Sequence, residues 1–229
     1  MVQSLKQHIF GAAVRLGAAD IHETIVVTGS PRSGTTWLSE LLRELPEYRM
    51  LNEPLNLNSS VLAEEIEGLN WRTCVPNDEE YPSLQNQLRR ALTGRVEASH
   101  MWRFRSQTAV GRLFETVTNR KLVVKLIRAG RMLSWFSKRF PVRSIVSTFR
   151  HPCAVVASQM SYRDVWRSAS PPSKDEIRNG FGGTLPEDVL NQFDSVLSTV
   201  DSTASQLAAA GSLHTYLTLR CPVQGPGVV

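Results

Sequence analysis

Two glycines five residues apart in Gly29-Ser30-Pro31-Arg32-Ser33-Gly34-Thr35-Thr36 lie between a β-branched run and a helical pattern, where a loop can bind an anion. Glycine lets the backbone turn so that successive N–H groups, with a helix N-terminus behind them, face negative charge. The spacing nearly follows the G-x-x-x-x-G-K-[ST] pattern of nucleoside triphosphatases, but Thr35 stands where that pattern has lysine. Arg32 is the one cation inside the loop. Because the missing lysine is the group that bridges terminal phosphates, a kinase or NTPase is the weaker reading and is kept as an alternative. An ordinary strand-turn-helix connection is the other reading open to these residues.

A second constellation lies in Ser144-Ile145-Val146-Ser147-Thr148-Phe149-Arg150-His151-Pro152, which carries a hydrophobic strand into Arg150. Pro152 suits the first turn of a helix. Ser158 follows eight residues after Arg150, so an arginine at a strand end and a serine two turns into the next helix can converge on one anion. Lys125 closes another apolar run, and a buried ammonium needs a partner. Glu53, in Leu51-Asn52-Glu53-Pro54, reads from its neighbours as a surface residue in a turn. No acidic motif suggests ligands for Mg²⁺, and no metal is expected.

These groups need elements to position them. Thr24 to Thr28 reads as a buried strand, and Trp37, Leu38, Leu41, Leu42 and Leu45 recur at helical spacing until Pro46. Tyr48 to Leu51, Lys121 to Leu126 and Ser144 to Phe149 read as further strands, with a helix over Met132 to Phe140 and another from about Pro152. A polar stretch from Ser161 to Leu185 reads as a loop, Val189 to Leu207 as a helix and His214 to Leu219 as a last strand. Strand and helix alternation of this kind predicts an α/β fold with a mainly parallel sheet. Among Met132, Leu133, Trp135, Phe136 and Phe140 the aromatics read as core, and Arg128, Arg131 and Lys138 as a solvated face.

The chain has 229 residues, 41% hydrophobic and 21% charged, enough to bury a full core. Lys and Arg total 26 against 21 acids for a net charge of +5, and arginine predominates. The guanidinium fork suits phosphate or sulfate. Since the basic residues are dispersed rather than gathered in a run, a small polyanion fits better than nucleic acid. No apolar run is long enough for a membrane span, and the amphipathic start lacks the apolar block and cleavage site of a signal peptide. Cys74, Cys153 and Cys221 form no CxxC pair, which argues for a reducing compartment, the cytoplasm, and against zinc.

The run Pro31-Arg32-Ser33-Gly34-Thr35-Thr36-Trp37-Leu38 closely resembles the loop by which PAPS-dependent sulfotransferases hold 3′-phosphoadenosine-5′-phosphosulfate, with the arginine of tyrosylprotein and many bacterial members. The resemblance implies a P-loop-type three-layer α/β fold, PAPS as sulfuryl donor, and transfer to a hydroxyl on a carbohydrate, lipid-linked or other small acceptor. It places Ser33, Gly34, Thr35 and Thr36 on the 5′-phosphate and Arg32 on the bridging oxygen and sulfuryl group. Trp37 is either an adenine platform or a core residue of the first helix. Arg150 and Ser158 match the pair that binds the 3′-phosphate. Lys125 resembles the lysine that assists the sulfuryl oxygens, but Ile127 fills the position two beyond it, where cytosolic members carry their histidine. Tyrosylprotein members instead use a glutamate 21 residues after the loop arginine; Glu53 stands at that distance from Arg32 and is the expected general base. His100 is the reserve.

The likeness covers residues 24 to 165 in detail. His214 to Arg220 resembles a family strand that normally continues, whereas here Cys221 to Val229, with two prolines and two glycines, follows and the chain stops. The expectation is therefore a single domain, incomplete at its C-terminus, with stability and activity reduced. A non-catalytic nucleotide-binding remnant is the third reading. Acceptor contacts are expected from Leu55 to His100 and from Ser161 to Leu185.

Overall fold

The β-branched run Thr24–Gly29 forms β1, buried along its whole length. The computed structural model describes residues 2–55, 75, 77–97, 101–127, 129–161, 172–180 and 185–220. Before β1 runs α1 (Val2–Leu16), and after it come α2 (Thr35–Arg43), β2 (Tyr48–Asn52), α3 (Pro82–Leu92), β3 (Trp102–Arg103), α4 (Ala109–Thr118) and β4 (Lys121–Lys125). A 3-10 turn at Gly130–Met132 leads into α5 (Leu133–Arg139), followed by β5 (Ser144–Thr148), α6 (Pro152–Ser161), α7 (Lys174–Arg178), α8 (Glu187–Leu197) and α9 (Thr203–Arg220).

The strands form one five-stranded sheet in the order β3-β2-β4-β1-β5. All pairings are parallel except that of the short edge strand β3 with β2. The α/β architecture with a central, mainly parallel sheet is thus the one expected. Strand side chains alternate between two faces. Ile25, Val27, Tyr48, Met50 and Val123 pack with Leu38 and Leu42 of α2 on one side. On the other, Val26, Leu51, Leu122 and Val124 join Leu84 and Leu88 of α3 and Trp135 and Phe136 of α5. Connections from β1 to β2 and from β4 to β5 run in opposite directions across the sheet, so right-handed crossovers put α2 and α5 on opposite faces. This reversal opens a crevice at the carboxyl ends of β1 and its neighbours, the usual ligand position in such sheets.

Several expectations are corrected. His214 to Leu219 is not a strand: it is the last part of α9. Its alternation of threonine and leucine imitates a period of two, yet the buried residues are Leu213, His214, Leu217 and Thr218, the spacing of one helical face. Leu213 and Leu217 join Ile177 of α7 and Val189 of α8 in a separate apolar cluster. Nor is Val189 to Leu207 one helix, since α8 ends at Leu197 and α9 starts at Thr203. At the start of α9 Ser202, just before the helix, and Ser205, in its first turn, exchange side-chain and backbone hydrogen bonds that mark a new helix N-terminus. Arg131 is buried, only 4% exposed, rather than solvated. Trp37 is 70% exposed, which removes its reading as core. The helices α3 and α4 and the edge strand β3 fall outside the expected elements, and α7 lies within the Ser161 to Leu185 stretch expected as loop, where Ser173 and Glu176 form a capping box. His100, Arg128, Cys74, residues 221–229 and, within the expected acceptor loops, residues 56–74, 76, 98–100, 162–171 and 181–184 lie outside the described residues.

Helix α9 packs on α6 and on the 3-10 turn, where a Cβ at Gly130 would come within 2.5 Å of the His214 ring. Among the described residues neither ring nitrogen of His214 has a hydrogen-bond partner. Burial, with Arg131 adding to it, pushes its pKa down to about 4 from 6.5. Between those values the unfolded chain binds the proton and the native one does not, so stability is complete above about pH 6.5 and lost as pH falls toward 4. Urea unfolding should lose about 2 kcal/mol between pH 7 and pH 5 through this group. His214→Leu should flatten that limb; an equal acid slope in both proteins would remove His214 as its source.

Candidate active site

The anion loop owes its shape to three unusual backbone positions. Gly29 has φ 152°, and a Cβ there would meet Thr148 Oγ1 at 2.5 Å and Ser33 Oγ at 2.8 Å. Gly34 has φ 101° at the N-cap of α2, and Arg32 has φ 72°. A left-handed non-glycine residue costs about 1–3 kcal/mol and persists where its surroundings impose it. Here the turn is closed by Ser33 N–H on Ser30 O at 3.1 Å. The first N–H groups of any helix lack intrahelical acceptors. Among the described residues no side chain caps α2 and nothing lies within 4 Å of a Cβ built at Gly34, so those donors face space that an anion can fill.

The two motifs that lie more than a hundred residues apart in sequence are hydrogen-bonded to each other. Arg32 Nε donates to Ser158 Oγ at 3.0 Å, and Arg150 Nη1 donates to the Arg32 carbonyl at 3.3 Å. Ser33 Oγ lies 2.7 Å from Thr148 Oγ1. Both arginines are exposed, whereas Ser33 and Thr35 are buried. Beside Arg150, Ser30, Phe149, Val155, Leu207 and Gly211 line a shallow hollow between α6 and α9.

A second cluster is built on the last residue of β4. Strand register sets Lys125 opposite both Val27 of β1 and Asn52 of β2. Its side chain is 7% exposed and its ammonium donates to Glu53 Oε1 at 2.9 Å, Thr36 Oγ1 at 2.7 Å and Asn52 Oδ1 at 3.4 Å. Those bonds meet the requirement of a buried cation for partners. Glu53 has φ 50°, and its N–H donates to the Lys125 carbonyl at 3.0 Å, so backbone and side chain fix the carboxylate together. Thr36 lies in the first turn of α2, which joins the ion pair to the anion loop.

Of the residues singled out from sequence, Glu53, Lys125 and Thr36 thus form one group and Arg32, Ser33, Arg150 and Ser158 another, with Gly34 and Thr35 between them. Trp37 stands exposed next to Thr36. Sequence reasoning missed Asn52 and Thr148. Asn52 adjoins Glu53 and Thr148 stands two residues before Arg150, but neither has a side chain whose type suggests a role.

A mainly parallel five-stranded sheet flanked by helices defines an α/β protein, consistent with the phosphate-loop sulfotransferase fold. The profile of the sulfotransferase family matches residues 24–199, and the chain belongs to that family. It is accordingly a transferase of sulfuryl groups. The match runs from β1 to just beyond α8 and includes every residue of both clusters. No curated protein and no solved structure matches the chain. Among the described residues no helix is long and apolar enough to cross a membrane.

Proposed function

We propose that this protein transfers the sulfuryl group of 3′-phosphoadenosine-5′-phosphosulfate to a hydroxyl of a small-molecule or glycan acceptor. The observation that carries the reading is the meeting of Arg32, Ser158 and Arg150 beside the N-terminus of α2, which brings two guanidinium groups to one loop suited to an anion. Open space before Gly34 fits the 5′ end of such a donor. When bound, the donor supplies a sulfuryl group activated by its phosphate leaving group. The N–H groups from Gly34 to Thr36 and the Ser33 hydroxyl would hold the 5′-phosphate, Arg32 would reach the bridging oxygen and sulfuryl group, and Arg150 with Ser158 would hold the 3′-phosphate. Glu53 takes the acceptor's hydroxyl proton onto its carboxylate. Lys125 orients that carboxylate and places positive charge beside the helix turn where negative charge grows. Trp37 offers an exposed aromatic face to adenine. A cytoplasmic location suits the exposed Cys153 thiol.

Calorimetry with 3′-phosphoadenosine 5′-phosphate tests the reading. The wild type should bind it, and Arg150→Ala should weaken binding about 10- to 100-fold, as expected for loss of a charge-assisted contact. Tighter binding of ATP–Mg would return the kinase reading to first place. Absence of heat from the wild type would refute the donor assignment.

A further inference from the structure

The Ser33 hydroxyl lies inside the anion loop, on a residue only 8% exposed. Thr148 Oγ1, at 2.7 Å, is its partner and is also 3.4 Å from the Thr28 carbonyl. Each hydroxyl has one proton to give and can accept two. If Thr148 donates to Thr28, Ser33 must spend its proton on Thr148 and has none for an anion. If Thr148 donates to Ser33 instead, Ser33 can donate into the loop, and the bond given up is the long one. An anion selects the second arrangement, in which Thr148 also polarises the Ser33 hydroxyl and strengthens it as a donor.

The backbone is shaped to admit this pair. A Cβ at Gly29 would fall within 2.5 Å of Thr148 Oγ1 and 2.8 Å of Ser33 Oγ. Thr148 also ends β5, two residues before Arg150, so the strand that delivers the arginine also fixes the loop serine. We propose that Thr148 is a positioning residue that turns the Ser33 hydroxyl toward the 5′-phosphate of the donor through a two-hydroxyl relay. The proposal rests on the reading that this loop takes the 5′ end of the nucleotide.

The test is calorimetry on the wild type, Thr148→Val and Thr148→Ser with 3′-phosphoadenosine 5′-phosphate, using adenosine 3′-monophosphate in competition as a control. Valine keeps the shape and removes the hydroxyl; serine keeps the hydroxyl. Thr148→Val should weaken the bisphosphate about fivefold to tenfold, leave the 3′-monophosphate within about twofold, and be rescued by Thr148→Ser. A Thr148→Val protein that binds the bisphosphate as the wild type does overturns the relay while leaving the loop assignment intact. Equal weakening of both nucleotides overturns it as well, because that is the mark of a structural role. A wild type that binds no bisphosphate overturns the loop assignment itself and the relay with it.

Discussion

Glu53→Gln should lower sulfuryl transfer about 10²- to 10⁴-fold, the range associated with loss of a general base, while nucleotide affinity changes little. Glutamine keeps an oxygen for the Lys125 ammonium, now 2.9 Å from the carboxylate, and keeps the backbone bond from residue 53 to the Lys125 carbonyl. What it loses is the ability to accept the acceptor's proton. Lys125→Ala is a less clean probe, because it removes at once the ammonium bonds to Glu53, Thr36 and Asn52 and so disturbs the loop as well as the carboxylate. The measurement is the rate of 3′-phosphoadenosine 5′-phosphate release over a panel of hydroxyl acceptors, with calorimetry of the same nucleotide as the control. Wild-type turnover by Glu53→Gln would remove this residue from the base role. Matching losses of affinity and turnover would assign it to donor binding instead.

The largest effect on stability is expected at Arg49. This residue of β2 is 1% exposed and, among the described residues, has no carboxylate among its hydrogen-bond partners. Its guanidinium donates to the Thr116 carbonyl at 2.9 Å and to that of Gly17, and lies 4.6 Å from the centre of the Trp102 ring. These carbonyls belong to the C-terminal ends of α4 and α1, where helix dipoles favour a cation. Burial first, then Arg120, pushes its pKa down to about 10, so it remains charged at neutral pH. Arg49→Met should cost about 3–5 kcal/mol, since two enclosed carbonyls lose their donor and Trp102 loses its cation. Lysine should recover only part, because a single ammonium lacks the fork that spans two helix ends. Urea midpoints read the effect. A loss below about 1 kcal/mol for Arg49→Met would mean that water or a neighbour replaces the guanidinium.

Arg49 also marks where sequence reasoning runs out. An arginine in an apolar run reads as an outward-facing residue, because residue type is a guide to average exposure and not to the partners that a distant helix supplies. Arg131 misled for the same reason. His214 misled differently: six residues alternating in polarity looked like a strand, but the preceding alanine-rich stretch and the apolar faces of α7 and α8 drew the whole segment into helix. In each case a contact remote in sequence outweighed a local pattern.

The sequence by itself determined the anion loop, the strands on either side of the crevice, the arginine at the end of β5 and the family. Each depends on local properties: glycine's freedom at φ 101°, β-branched runs that fill a pleated sheet, and the distance from Arg32 to Glu53 along the chain. Only the tertiary structure decided that Lys125 holds both Glu53 and Thr36, that Arg32 turns to Ser158, and that Thr148 closes on Ser33. Those contacts depend on the strand order β2-β4-β1-β5 and its register, which set side chains from distant segments side by side. Register is fixed by packing on both faces of the sheet at once, and no single stretch of sequence contains that information.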